Sequence, residues 1–477
     1  MGKYARLGKN TGLVFIGTAG SKLLSLLMLP FYTRWLTVSD YGSVDLITTY
    51  SGLMLGIISC SIFDSIFLFP KDQPKNKQSQ YLSSGILFWF TSLLLLAVIC
   101  FCITILGDRY SWHGFIFEYL WYIYAVLAVS YLQSITQQFL RAIDKMIVYS
   151  TTGIVLTAAI IVLSFILIPQ GGVRGYIIAI VIANIISIAY SIAAGGIWKF
   201  ISIKSANKTT LGEMLKYSIP LIPNATMWFL INSLNRPILE SWTGIAAVGI
   251  FAVAGRFPNL LNTVYLLFQN AWLISVIEEA KKDSYEAFYN KMLKTVIIVQ
   301  TLLAVILAFC GKWIIQLFTT PEYYSAWQYI PVLVIGVIFM NVATFVGSNF
   351  AVTRESKYYF YSTAWSGLTS VILNFILIPL FGLWGACWSV IISQAICMVA
   401  RIKYSWKTVK ITDIKFYGLN AIFLIICVTS SILIESKPLL YITIIIMVIY
   451  FYVINKNPIK NITKLISVAY ENRIKRN

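Results

Sequence analysis

Two cations stand in stretches that are otherwise almost wholly apolar: Lys22 within residues 11–31 and Arg256 within residues 244–274. A charge in the middle of a membrane span costs about 2.5–3.5 kcal/mol on insertion scales, so it faces either a cavity or a partner. The chemistry open to such residues is anion binding. A fixed ammonium or guanidinium in a low-dielectric setting holds a phosphate or carboxylate by charge-assisted hydrogen bonds. The plainer alternative is a structural ion pair with a carboxylate such as Asp45 or Asp64. Arg34 closes the stretch that holds Lys22 and Arg236 closes another on the same side, while Arg141 and Arg354 close two others on the opposite side. Arginines paired in this way suit gates or an anion-attracting vestibule. Anchoring at the membrane edge, with a cation completing a helix C-terminus, would explain them equally well. Asp45, Asp64, Arg141 and Arg354 are therefore candidates for gating or ion coupling.

No catalytic constellation accompanies these charges. The single histidine, His113, lies in a short loop, and no Ser-His-Asp set, phosphate-cradling glycine loop or His/Cys cluster occurs. All seven cysteines fall in apolar stretches, without the spacing of a metal site or a disulfide framework. The sequence leads us to expect neither an enzyme nor a bound metal or cofactor.

The elements that must position the charges are transmembrane helices. Of the 477 residues 58% are hydrophobic and only 12% charged, where soluble domains carry about 25% charged residues. Fourteen apolar runs, among them 11–31, 44–69, 217–235, 244–274, 383–400 and 438–454, approach the roughly 20 residues that cross a bilayer. The net charge of +19 could suggest nucleic acid as a partner, but its distribution argues otherwise. With a cytoplasmic N-terminus, 29 of the 37 Lys and Arg fall in cytoplasmic segments and five in outer loops. The positive-inside rule accounts for that asymmetry, and it places both termini in the cytoplasm.

The runs form an internal duplication. Residues 165–175 read FILIPQGGVRG and residues 375–385 read FILIPLFGLWG, so Phe165, Pro169, Gly172 and Gly175 recur 210 residues later. A second register pairs Gly42 with Gly249 and puts Thr49 opposite Arg256. The expected architecture is an all-α polytopic membrane protein of about 14 helices. It comprises a six-helix lobe (1–205), a repeated six-helix lobe (206–408), and two further helices with a basic tail (409–477). Pro30, Pro220 and Pro223 should bend or break their spans, because proline removes a helical hydrogen bond. In lipid the freed carbonyls are tolerated only against protein or a wet cavity. Broken helices at matching places in two repeats thus point to a transport path.

TRWLTVSDYGSVDL (33–46), PLIPNATMWFLINSLNRPIL (220–239), VGIFAVAGRFPNLL (248–261), FQNAW (268–272) and LNFILIPLFGLWGA (373–386) follow one another in an informative order. Together they resemble the polysaccharide-repeat-unit (O-antigen, Wzx-type) flippases of the multidrug/oligosaccharidyl-lipid/polysaccharide exporter superfamily. The resemblance spans nearly the whole chain. It implies two helical bundles around a cationic cavity opening alternately to either side of a bacterial inner membrane. The implied substrate is an undecaprenyl-diphosphate oligosaccharide moved from inner to outer leaflet, for O-antigen, lipopolysaccharide or capsule. Membrane lipids and a polysaccharide polymerase are candidate partners. The resemblance further implies that Lys22 and Arg256, with Arg34 and Arg236, line the cavity. One departure stands out: many relatives carry an arginine where this chain reads SIFDSIFLF with Asp64. Rival readings are a lipid II or teichoic-precursor flippase and a cation-coupled multidrug exporter. A membrane-embedded glycan polymerase would need large outer loops, and those here are short.

Overall fold

A computed structural model describes residues 20–434, apart from 281 and 354, together with 443, 445–446, 449–453 and 455. Among them every regular element is helical. Arg354 and the basic tail 456–477 lie outside the described residues. The chain divides into two compact units, Met1–Ala252 and Val253–Asn477.

The first unit contains helix α1 (residues 20–27), α2 (Leu29–Trp35), α3 (Val38–Ile58), α4 (Ile62–Leu68), α5 (Lys75–Tyr110), α6 (Phe115–Ala142) and α7 (Met146–Gly195). It continues through α8 (Lys208–Ser218), α9 (Ile222–Asn232) and α10 (Asn235–Thr243) into the first turns of α11 (Ile245–Glu279). Ile62, Ile66, Leu82, Tyr131, Phe139 and Met214 form the centre of its core. Hydroxyls tie the helices where lipid offers no competing water. Ser51 donates to the Ile123 carbonyl at 3.0 Å, and Ser65 donates to the Met214 carbonyl at 2.9 Å.

The second unit holds the rest of α11, then α12 (Tyr285–Phe318), α13 (Ile330–Thr353), α14 (Ser356–Phe381), α15 (Leu383–Ser405) and α16 (Ile414–Leu433). Its centre is α13, most of which is buried. Trp272 stacks on Phe345 with ring centroids 4.4 Å apart and donates from Nε1 to Ser348 Oγ at 2.9 Å.

Nine helices among the described residues are long and apolar enough to span a membrane, or ten if α3 and α4 are one bent span. The expected fourteen is therefore not reached, for three reasons visible in the chain. Residues 11–19 and much of 438–454 are outside the described set. Helix α7 has 50 residues, a length of about 75 Å at 1.5 Å per residue, which is two crossings rather than one. The expected span 217–235 is in pieces: α8 ends at Ser218, a 3₁₀ turn covers Ile219–Leu221, and α9 is only 11 residues long. Pro220 sits in that break, whereas Pro223 lies in the first turn of α9, where a missing N–H costs nothing. Pro30 similarly opens α2 after a turn at Met28.

The duplicated motif keeps its shape as well as its letters. Gly172 has φ 50°, ψ −128° and Gly382 has φ 55°, ψ −129°, values open essentially only to glycine. Three residues on, a Cβ on Gly175 would lie 2.0 Å from the Leu167 carbonyl oxygen, and one on Gly385 equally close to that of Leu377. Each bend folds the chain back onto the helix before it. Gly385→Ala should lower thermal stability in detergent by about 1–3 kcal/mol, the scale of an overpacked contact, as should Gly175→Ala. A melting curve of each variant checks this, and an unchanged midpoint in both would refute it.

Candidate functional site

Helix α11 carries Arg256 eleven residues beyond its start at Ile245, about 17 Å along the axis. The side chain is half-buried. Pro258 lies inside the same helix and cannot donate to the Ala254 carbonyl, so the helical ladder is interrupted within one turn of the charge. The sequence reading set out Pro30, Pro220 and Pro223 as breaks and passed over Pro258. Its place two residues after a mid-span arginine was the available signal. Lys22 belongs to the first unit, is exposed, and stands on α1 six residues before the turn at Met28. Arg34 is likewise exposed, in the last turn of α2.

Arg236 and Asp45 are brought together rather than serving apart. Arg236 Nε donates to Asp45 Oδ2 at 2.5 Å, with the two side chains 18% and 17% exposed. Its NH1 also donates to the Asn232 carbonyl at 2.9 Å, and the guanidinium lies 5.6 Å from the centre of the Phe251 ring. The sequence offered Asp45 as a partner for Lys22 or Arg256, and the structure gives it to Arg236. Where α3 meets α11 just beside this pair, Gly42 and Gly249 let the two backbones touch.

Asp64 sits in the first turn of the short helix α4, half-buried. Among the described residues its carboxylate makes no hydrogen bond or ion pair. Ahead of it the chain bends by 64° between α3 and α4, with Cys60 and Ser61 both at positive φ. Neither glycine nor proline marks this break, which is why the sequence read residues 44–69 as one span. Arg141 ends α6, and its guanidinium lies 4.1 Å from the centre of the Phe67 ring on α4.

A cation that the sequence reading counted with the cytoplasmic charges is buried. Arg401 is wholly inaccessible on α15. Its Nε donates to Ser362 Oγ (3.1 Å), NH1 to the Ala343 carbonyl (3.0 Å) and NH2 to Thr363 Oγ1 (3.3 Å), and it lies 4.1 Å from the centre of the Tyr359 ring. Among the described residues no carboxylate pairs with it. At the repeat-related position, Ser191 meets Thr152 through hydroxyls 3.1 Å apart. The second unit also holds an apolar pocket of about 450 Å³ walled by Leu293, Ile338, Val342, Ile402, Trp406 and Leu424.

Residues 7–273 match the family described as "Polysaccharide biosynthesis protein". The chain belongs to this family. A curated relative is the capsular polysaccharide biosynthesis protein CapF of Staphylococcus aureus, 24% identical over 229 residues. That match covers 45% of this chain and 57% of CapF, so the chain spans little more than half the length of its curated relative. Among solved structures, the lipid II flippase MurJ in an inward closed conformation aligns with a TM-score of 0.66 at 16% identity, over 94% of this chain and 99% of MurJ. An inward-facing multidrug resistance transporter of the MATE family, MOP superfamily, aligns with a TM-score of 0.60 at 14% identity, over 85% of this chain and 94% of that one. At such identities the likeness is one of fold. The chain is a multi-pass membrane protein by its nine or ten spanning-length apolar helices among the described residues, and it shares the helical fold of those two structures.

Proposed function

We propose that the protein is a flippase for undecaprenyl-diphosphate-linked oligosaccharide repeat units, moving them from the inner to the outer leaflet of the bacterial cytoplasmic membrane. The observation that carries this reading is Arg256, a half-buried cation beside a proline break in a long apolar helix of a polysaccharide biosynthesis protein. A diphosphate headgroup needs such a fixed charge, and arginine can hold it with two parallel donors. In this reading Arg256 binds the headgroup, and Lys22 and Arg34 are the candidate cations that the first unit offers to it. Arg236 is engaged with Asp45 and acts in gating.

The similar proteins support the assignment at a coarser level: CapF takes part in capsular polysaccharide biosynthesis and MurJ flips lipid II. The path opens alternately to either side, both termini lie in the cytoplasm, and the product serves surface polysaccharide such as O-antigen or capsule. The protein works as a transporter rather than an enzyme, without a cofactor, alongside membrane lipids and a polysaccharide polymerase. An inside-negative potential favours moving the anion outward, by about 2.3 kcal/mol per charge per 100 mV.

The decisive experiment reconstitutes the protein in liposomes containing a fluorescent undecaprenyl-diphosphate oligosaccharide. Protein-dependent exposure of inner-leaflet sugar to an added glycosidase is the expected result. No exposure with repeat-unit, lipid II or teichoic-precursor sugars, together with efflux of a cationic dye, would replace this reading with a multidrug exporter. Asp64, a half-buried carboxylate with no ion pair among the described residues, is the group that a cation-coupled cycle would use.

A further inference from the structure

The contact between α3 and the start of α11 is reciprocal. A Cβ on Gly42 would lie 2.2 Å from the Ile245 carbonyl oxygen, and one on Gly249 would lie 2.0 Å from the Val38 carbonyl oxygen. Val38 and Gly42 recur 207 residues later as Ile245 and Gly249. Each helix thus presents the same two repeat positions to the other, a β-branched residue and a glycine, and the whole contact falls within the first unit. Backbone lies on backbone here. Surfaces made of glycine and carbonyls hold by close approach and can separate without withdrawing interlocked side chains.

The charged clasp stands beside this crossing. Asp45 is three residues past Gly42, and its partner Arg236 lies on α10, which leads through Gly244 into α11. Joints flank the clasp on both sides. Leu36 is extended ahead of Thr37, which caps α3 in a box with Asp40, and Gly244 has φ 89°. On the far side of α10 the helix is interrupted at Ser233 and again at Ile219–Leu221. Short rigid pieces linked by non-helical joints can swing, as a continuous helix cannot.

We propose that the Gly42–Gly249 crossing, clasped by Asp45 and Arg236, is a latch on the outer face of the first unit that parts and re-forms once per transport cycle. This rests on the transporter reading above and on the cytoplasmic termini given there, which put residues 32–43 and 236–243, each between two expected spans, on the outer side. It makes Arg236 and Asp45 parts of one closing device, with Arg236 unavailable to the substrate while the latch is shut.

The test needs no substrate, so its failure is separable from that of the flippase assignment. Ala252 is buried on the α11 face that carries Ile245 and Gly249, one turn further from the helix start. In a protein with its seven cysteines replaced, Ala252→Cys would be reacted in intact cells with a membrane-impermeant maleimide. Labelling should be slow with the latch intact. Asp45→Asn or Arg236→Gln should speed it about tenfold, the shift expected from losing one modest stabilising contact of the closed state. Exchanging the charges, Asp45→Arg with Arg236→Asp, should slow it again. Equal labelling rates in parent, both single variants and the exchanged pair would show a permanent structural contact and overturn the latch. Should the single variants fail to reach the membrane, Gly42→Ala provides the same readout, because its Cβ forces the backbones apart.

Discussion

Arg256→Gln should lower sugar exposure in the liposome experiment by roughly 10- to 150-fold, the loss expected when a charged hydrogen bond worth about 1.5–3 kcal/mol is removed. The amount of protein in the membrane should not fall. Glutamine in the middle of α11 is cheaper to bury than guanidinium, so insertion becomes easier as function is lost. Arg256→Lys keeps the charge but surrenders the planar pair of donors, and should fall between the two. Lys22→Gln, removing the exposed ammonium on α1, should resemble Arg256→Gln. Normal exposure in both glutamine variants would remove the cationic reading of these residues.

Arg401→Ala should destabilise the second unit by about 3–5 kcal/mol, from a large buried void and the hydrogen bonds left unmade at Ala343 and beside Ser362 and Thr363. Arg401→Met makes the more telling comparison. It fills most of the space and removes a cation whose burial is itself costly, and such replacements are often neutral or better. Methionine should therefore recover most of the melting temperature that alanine loses. If methionine is as damaging as alanine, the three hydrogen bonds rather than the filled volume hold α13, α14 and α15 together. If neither variant shifts the melting temperature, Arg401 is not a structural element of that unit.

The chain displays its repeat openly because proline and glycine carry backbone meaning that apolar residues do not. Gly172 and Gly382 share one unusual conformation, so their register in the sequence and their geometry agree. The bend before Asp64 was hidden for the opposite reason. It is made at Ser59, Cys60 and Ser61, residues that give no local signal, of which Cys60 and Ser61 take a left-handed backbone. The Asp45–Arg236 pair joins positions 191 residues apart, and two charges at separate ends of separate spans cannot announce their union. Arg401 was misplaced because the apolar run ends at residue 400 while α15 continues to Ser405. Its burial follows from the small residues on α13 and α14 around it, which pattern alone does not bring together.

In the crossing of α3 with α11, residue 42 meets 245 while 249 meets 38, the same patch used from both sides. That self-complementarity is how a symmetric homodimer joins its copies. Here both halves of the patch lie in one chain, so the two need not be identical. Asp45 now stands where the second copy has Ala252, so the clasp is made at one position of a contact whose glycines are still matched. The matched glycines supply the surface on which the two helices meet, and the unmatched Asp45 decides which part of it is held by charge.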